Sequence, residues 1–96
     1  EGQNRKTERA KVYSNVDLRK AGDHRYSVTI DDLSAEGCRV LSPNNVEVGE
    51  LLFISFPGMA SLNAHVRWRR YPETGLQFER PLHPAIFDEV LRRLGH

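Results

Sequence analysis

The chain has 96 residues, a net charge of +1 at pH 7, 39% hydrophobic and 28% charged residues, which suits one folded domain with one modest core rather than a disordered tail. No apolar run approaches the roughly 18 residues of a membrane helix, no secretory leader pattern is present, and so small a net charge argues against a general polyanion binder. The single cysteine, Cys38, excludes an internal disulfide and suits a reducing compartment, so a cytoplasmic location is expected.

Residues 1–10 are polar, lack an apolar period and read as a flexible arm; the chain begins without methionine, which leaves room for an upstream piece. From Lys11 the pattern becomes short alternating runs. "KVYSNVDL" predicts a first strand, and "RKAGDH" a turn. "RYSVTIDDL" predicts a strand with Tyr26, Val28 and Ile30 on one face and Ser27, Thr29 and Asp31 on the other. "GCRVLS" follows with Cys38 and Val40 together, then the loop residues of "PNNVEVG". "ELLFISF" reads as a buried strand ended by Pro57-Gly58. "NAHVRWRRY" sets Ala64, Val66 and Trp68 against His65, Arg67 and Arg69. "PETG" reads as a turn and "LQFER" as a last short strand. The tail changes period: Ile86, Phe87, Val90, Leu91 and Leu94 share a helical face, with Pro84 suited to the first turn and Gly95 to the stop. About six antiparallel strands followed by one helix predict a mainly β protein, a small barrel or sandwich over residues 11–96; a barrel removes the exposed edges that so small a sheet would otherwise have to protect.

Two short motifs stand out. Arg5 and Arg9 are four residues apart, a spacing that puts both side chains on one side of a strand or close together on a helix. With 11 Arg and 3 Lys in the chain, about one such pair arises by chance, so it carries little alone. Asp32-x-Ser34-x-x-Gly37 is rarer, with about 0.02 occurrences expected by chance. Its residues also suit an ordinary strand connection, since Asp and Ser bond local backbone and Gly takes positive φ.

Taken together, in this order and on this barrel-then-helix layout, the motifs resemble the PilZ domain family from about Asn4 to Leu94. The resemblance implies a six-stranded antiparallel β-barrel with a C-terminal α-helix that binds cyclic di-GMP. It implies a ligand site of Arg5, Arg9, Asp32, Ser34 and Gly37, with Arg5 and Arg9 on an arm that closes over the ligand. The chemistry is suitable. An Arg can stack on guanine and donate in bidentate fashion to phosphate or to the base. A carboxylate such as Asp32 can accept from guanine N1–H and N2–H. A Ser34 hydroxyl can serve base or phosphate, and Gly37 would let the backbone turn sharply and the ligand come close. The resemblance also places Trp68 beside the ligand, whereas its alternation with Val66 places it in the core. Asn4, in front of Arg5, favours one bound ligand over a stacked pair.

Other chemistry is not supported. His24, His65, His83 and His96 lack metal-ligand spacing, so no metal site is expected. Cys38 reads as a small core residue. No nucleophile elbow, phosphate loop or dinucleotide fingerprint is present, so neither an enzyme nor a cofactor is expected. A single-stranded nucleic-acid barrel would want more exposed aromatics than 8% aromatic content supplies. The expected function is therefore a cyclic di-GMP receptor that orders its arm on binding and signals to a protein partner, with no nucleic-acid or membrane partner; the alternative is a ligand-blind barrel that binds only protein.

Overall fold

The computed structural model describes residues 9–42 and 45–95. Its elements are β1 (Arg9–Ala10), β2 (Ser14–Lys20), β3 (Tyr26–Ser34), β4 (Gly37–Leu41), β5 (Leu51–Ser55), β6 (Leu62–Arg70), β7 (Glu73–Phe78) and α1 (Pro84–Arg93). Strands β2 to β7 close into a six-stranded antiparallel barrel in the order β3, β2, β5, β6, β7, β4 and back to β3. The seventh strand, β1, pairs with the far end of β3, Ala10 opposite Leu33 and Arg9 opposite Ser34. It lies on the same edge of β3 as β2, so the two are halves of one interrupted strand, broken at Lys11–Tyr13.

The barrel forms because its strands alternate. Val28 and Ile30, Leu52 and Ile54, and Ala64 and Val66 all point inward and are buried. Turns fall where glycine takes the left-handed region: Gly22 at φ +77° closes β2–β3, where the Asp23 amide donates to the Lys20 carbonyl at 3.0 Å, and Gly58 at φ +73° closes β5–β6. Phe56 and Phe78 meet edge to face at 6.3 Å inside the core.

Helix α1 contributes Phe87, Val90 and Leu94 to the same apolar cluster, as its period implies, while Ile86 stays exposed. His83 caps it, Nδ1 accepting from the Ala85 amide at 3.1 Å, and Pro84 opens it. Glu89 pairs with Arg92 and Arg93, and Arg93 also donates to the Pro57 carbonyl at 3.2 Å, tying the helix end to the β5–β6 turn. No helix among the described residues is long and apolar enough to cross a membrane.

Three element boundaries differ from the sequence reading. The first barrel strand starts at Ser14 and runs on to Lys20, through the first two residues of the expected turn. The last strand begins at Glu73, inside the expected "PETG" turn, and ends at Phe78. Of the expected arm, Arg9 and Ala10 are strand; residues 1–8, Arg5 among them, lie outside the described residues.

Candidate functional site

Two β-bulges build the site. Ile30 pairs with Val40, but Asp32 pairs with Arg39, so Asp31 is an extra residue in β3. Were Asp31 paired in a regular ladder, strict alternation from Val28 and Ile30 would send Asp32 into the barrel. With Asp31 bulged out of the pairing, Leu33 takes the inward place and Asp32 and Ser34 move to the outer face. Strand β6 repeats the device. Val66 pairs with Leu76 but Trp68 pairs with Gly75, so Arg67 is the extra residue. The expectation of a core place for Trp68 is thereby overturned: the bulge turns the indole outward, and it is 39% exposed.

The bulges place Asp32, Arg39, Gly75 and Trp68 opposite one another in a single row across β3, β4, β7 and β6. An open groove of ≈ 380 Å³ runs beside this row. It is lined by Arg9, Ser34, Gly37, Arg39, Arg67, Trp68, Gly75 and Gln77, among others. Of the six residues expected at the site, Arg9, Ser34, Gly37 and Trp68 line the groove. Asp32 sits directly under Arg9, and Arg5 lies outside the described residues.

Asp32 is almost fully buried at 5% exposure. Its Oδ2 accepts from Arg9 Nη2 at 2.7 Å and from Arg9 Nε at 3.1 Å. Its Oδ1 is out of solvent and accepts from none of the described residues. Backbone pairing of β1 with β3 is what holds Arg9 above it. Next to this pair, Arg39 forks onto Asp31, Nε to Oδ1 at 2.8 Å and Nη2 to Oδ2 at 3.2 Å. Those bonds hold the Arg39 guanidinium further above its ordinary value, so it keeps its full charge. Arg67 bonds the Gln77 side chain across the groove.

Ser34 shapes the β3–β4 hairpin. Its hydroxyl accepts from the Gly37 amide at 3.2 Å and donates to the Gly37 carbonyl at 3.3 Å. The hairpin tip is tied down further by the Phe78 amide, which donates to the Glu36 carbonyl at 2.8 Å, and the Leu82 amide, which donates to Ala35 at 2.7 Å. Gly37 differs from the expectation of a positive-φ turn glycine. Its φ lies outside the left-handed region, and the absence of a side chain is required because a Cβ would stand 2.0 Å from the Leu76 carbonyl oxygen. Gly75 is a parallel case that the sequence did not reveal: a Cβ there would stand 2.1 Å from Trp68 Nε1, so the indole rests directly on the β7 backbone.

Cys38 is buried behind the site, as expected. Burial, then the charges of Asp32 and Asp31, push its thiol far up, so it stays protonated and unreactive at neutral pH. No group of metal-ligating side chains occurs among the described residues. Arg39 and Gly75 are the site residues that sequence reasoning missed. The place of Arg39 was readable, since it alternates with Cys38 and Val40 immediately after the motif.

A family model described as the PilZ domain matches residues 3–94. Among solved structures, the crystal structure of the PilZ domain of CeSA from a cellulose-synthesizing bacterium aligns with a TM-score of 0.66 at 17% identity, covering 93% of this chain and 96% of that one. No curated protein sequence matches.

Proposed function

The chain belongs to the PilZ domain family, binding and effector domains that generally take cyclic di-GMP, and from that premise we propose that it is a cytoplasmic cyclic di-GMP receptor. The observation that carries the reading is the convergence of Arg9, Asp32 and Ser34 on one outer face, beside a groove edged by Arg39 and Trp68. Guanidinium groups suit the two phosphates and the guanine faces, and an outward indole suits stacking. Asp32 accepts from a guanine edge, and Gly37 and Gly75 keep the floor of the groove at backbone height. Arg5 closes over the ligand from the segment before β1. That closure is the signal, offering a downstream protein a surface that differs between free and bound states.

Titration calorimetry with cyclic di-GMP tests this reading. A Kd of roughly 0.1–10 μM is expected, near −8 kcal/mol, with one ligand per chain. GTP and linear GMP bind far more weakly, because only the cyclic dinucleotide supplies both bases and both phosphates in one rigid shape. Amide hydrogen exchange at residues 1–8 slows when ligand is added. The absence of heat and of a thermal shift at high micromolar ligand would sink the proposal and leave a barrel that binds protein only.

A further inference from the structure

We propose that Arg9 is an internal stand-in for the guanine edge, and that its exchange against the ligand at Asp32 sets the base selectivity of the site. The inference rests on the cyclic di-GMP reading above. Its basis is the unusual state of Asp32. The carboxylate is 5% exposed, and among the described residues the only side chain bonded to it is Arg9, which spends two N–H groups on Oδ2. The second oxygen, Oδ1, is excluded from solvent and has no hydrogen-bond partner among the described residues. The other nearby cation, Arg39, is committed to Asp31 through both ends of its fork.

A buried carboxylate cannot shed Arg9 at little cost, because the charge left behind would have neither water nor another of the described side chains to answer it. Arg9 therefore leaves Asp32 only when other N–H donors arrive together. Guanine meets that demand. Its N1–H and N2–H are neighbouring, nearly parallel donors, like the Nε–H and Nη2–H of Arg9, and a two-donor edge also reaches the oxygen that Arg9 leaves bare. Hypoxanthine supplies N1–H alone. Adenine supplies its amino group beside a bare N1 whose lone pair faces the carboxylate. The released Arg9, whose side chain is 64% exposed, is then free to meet phosphate. Selectivity thus arises from what a wrong base fails to replace, a stronger filter than pocket shape.

The test combines the Arg9 Nε–H signal in nitrogen–proton NMR, assigned by its loss in Arg9→Lys, with the affinities of cyclic di-GMP, cyclic di-IMP and cyclic di-AMP. In the free protein the signal is slow to exchange, and Asp32→Asn abolishes that protection. Saturating cyclic di-GMP moves the signal; cyclic di-AMP at the same concentration does not. The wild type binds cyclic di-GMP at least about tenfold more tightly than cyclic di-IMP, the worth of one hydrogen bond to a carboxylate. In Asp32→Asn that ratio falls to within about threefold, because an amide offers one acceptor and one donor, and cyclic di-AMP gains, since an amide pairs with adenine through both groups. Cyclic di-GMP binding with the Arg9 signal unmoved overturns the inference while leaving the receptor reading intact. So does cyclic di-IMP binding as tightly as cyclic di-GMP, or a folded Asp32→Asn that keeps the wild-type ratio. No binding of cyclic di-GMP at all overturns the receptor reading and this inference with it. Should Asp32→Asn fail to fold, the wild-type signal and the three wild-type affinities decide.

Discussion

Substituting Gly37 by alanine separates the needs of the fold from those of the ligand. The backbone at Gly37 is one that any residue adopts, so the cost is steric. A Cβ there would lie 2.0 Å from the Leu76 carbonyl oxygen, 3.0 Å from its carbonyl carbon and 3.1 Å from the Gln77 Cα. Comfortable contact needs about 3.5 Å, and every obstacle is backbone, so no rotamer change relieves it. Strands β4 and β7 must part at their Gly37–Gln77 pairing, and the hydroxyl of Ser34, bonded to both the amide and the carbonyl of Gly37, must follow. Overpacking of this kind costs about 1–3 kcal/mol. At about 4–8 °C per kcal/mol for a domain of this size, that is a fall in Tm of about 5–20 °C. Differential scanning calorimetry without ligand reads the loss directly. A variant melting within about 2 °C of wild type, under ~0.5 kcal/mol by the same scaling, yet unable to bind cyclic di-GMP, would show that the motif glycine serves the ligand and that the steric argument is wrong.

Arg9→Lys keeps the charge but loses the planar fork; since hydrogen bonds to a charged group contribute about 1.5–3 kcal/mol each, calorimetry shows at least about tenfold weaker cyclic di-GMP binding, close to that of Arg9→Ala, and a Lys variant within about twofold of wild type would reduce Arg9 to a point charge. Gly75→Ala forces the Trp68 indole off β7, because a Cβ would stand 2.1 Å from Nε1 and 2.3 Å from Cε2. The fluorescence of this sole tryptophan shifts to the red, and affinity falls by about 1–3 kcal/mol, the usual worth of base stacking, with a smaller change in Tm than Gly37→Ala because the obstacle is a surface side chain. For Cys38 the folded thiol is raised above its unfolded value, so its stabilisation is complete below about pH 8.5 and declines above it by up to ~1.4 kcal/mol per pH unit. Urea melts between pH 7 and pH 10 therefore lose more stability in the wild type than in Cys38→Ala; equal slopes would contradict the burial argument.

Alternation and turn chemistry made the barrel legible. Val28 with Ile30, and Ala64 with Val66, announced inward faces, and Phe87, Val90 and Leu94 announced the helix; the burial of each agrees. The motif pair pointed to one site, and Arg9 does lie on Asp32. What failed was facing. An extra residue such as Asp31 or Arg67 looks like any other letter until its partner strand is known, because a bulge exists only in the pairing. The same limit hid Gly75. Beside Pro72 and Glu73 it looks like a turn residue, and only the displaced register of β6 sets it beneath Trp68.

The bulge at Asp31 has a corollary for descent by insertion and deletion. Asp31 precedes the Asp32-x-Ser34-x-x-Gly37 motif and belongs to neither signature. Lose that one codon, and every signature letter survives in its proper spacing; Ile30 and Asp32 then pair with Val40 and Arg39 without interruption and the carboxylate still faces outward, while the fork of Arg39 loses its Asp31 partner. Recognition by lettering alone would score such a gene as unchanged although the arginine beside the acceptor had lost the carboxylate that holds it. Among divergent homologues, an acidic residue immediately before the motif aspartate is therefore the marker of a fixed arginine beside the acceptor, which the motif letters do not report.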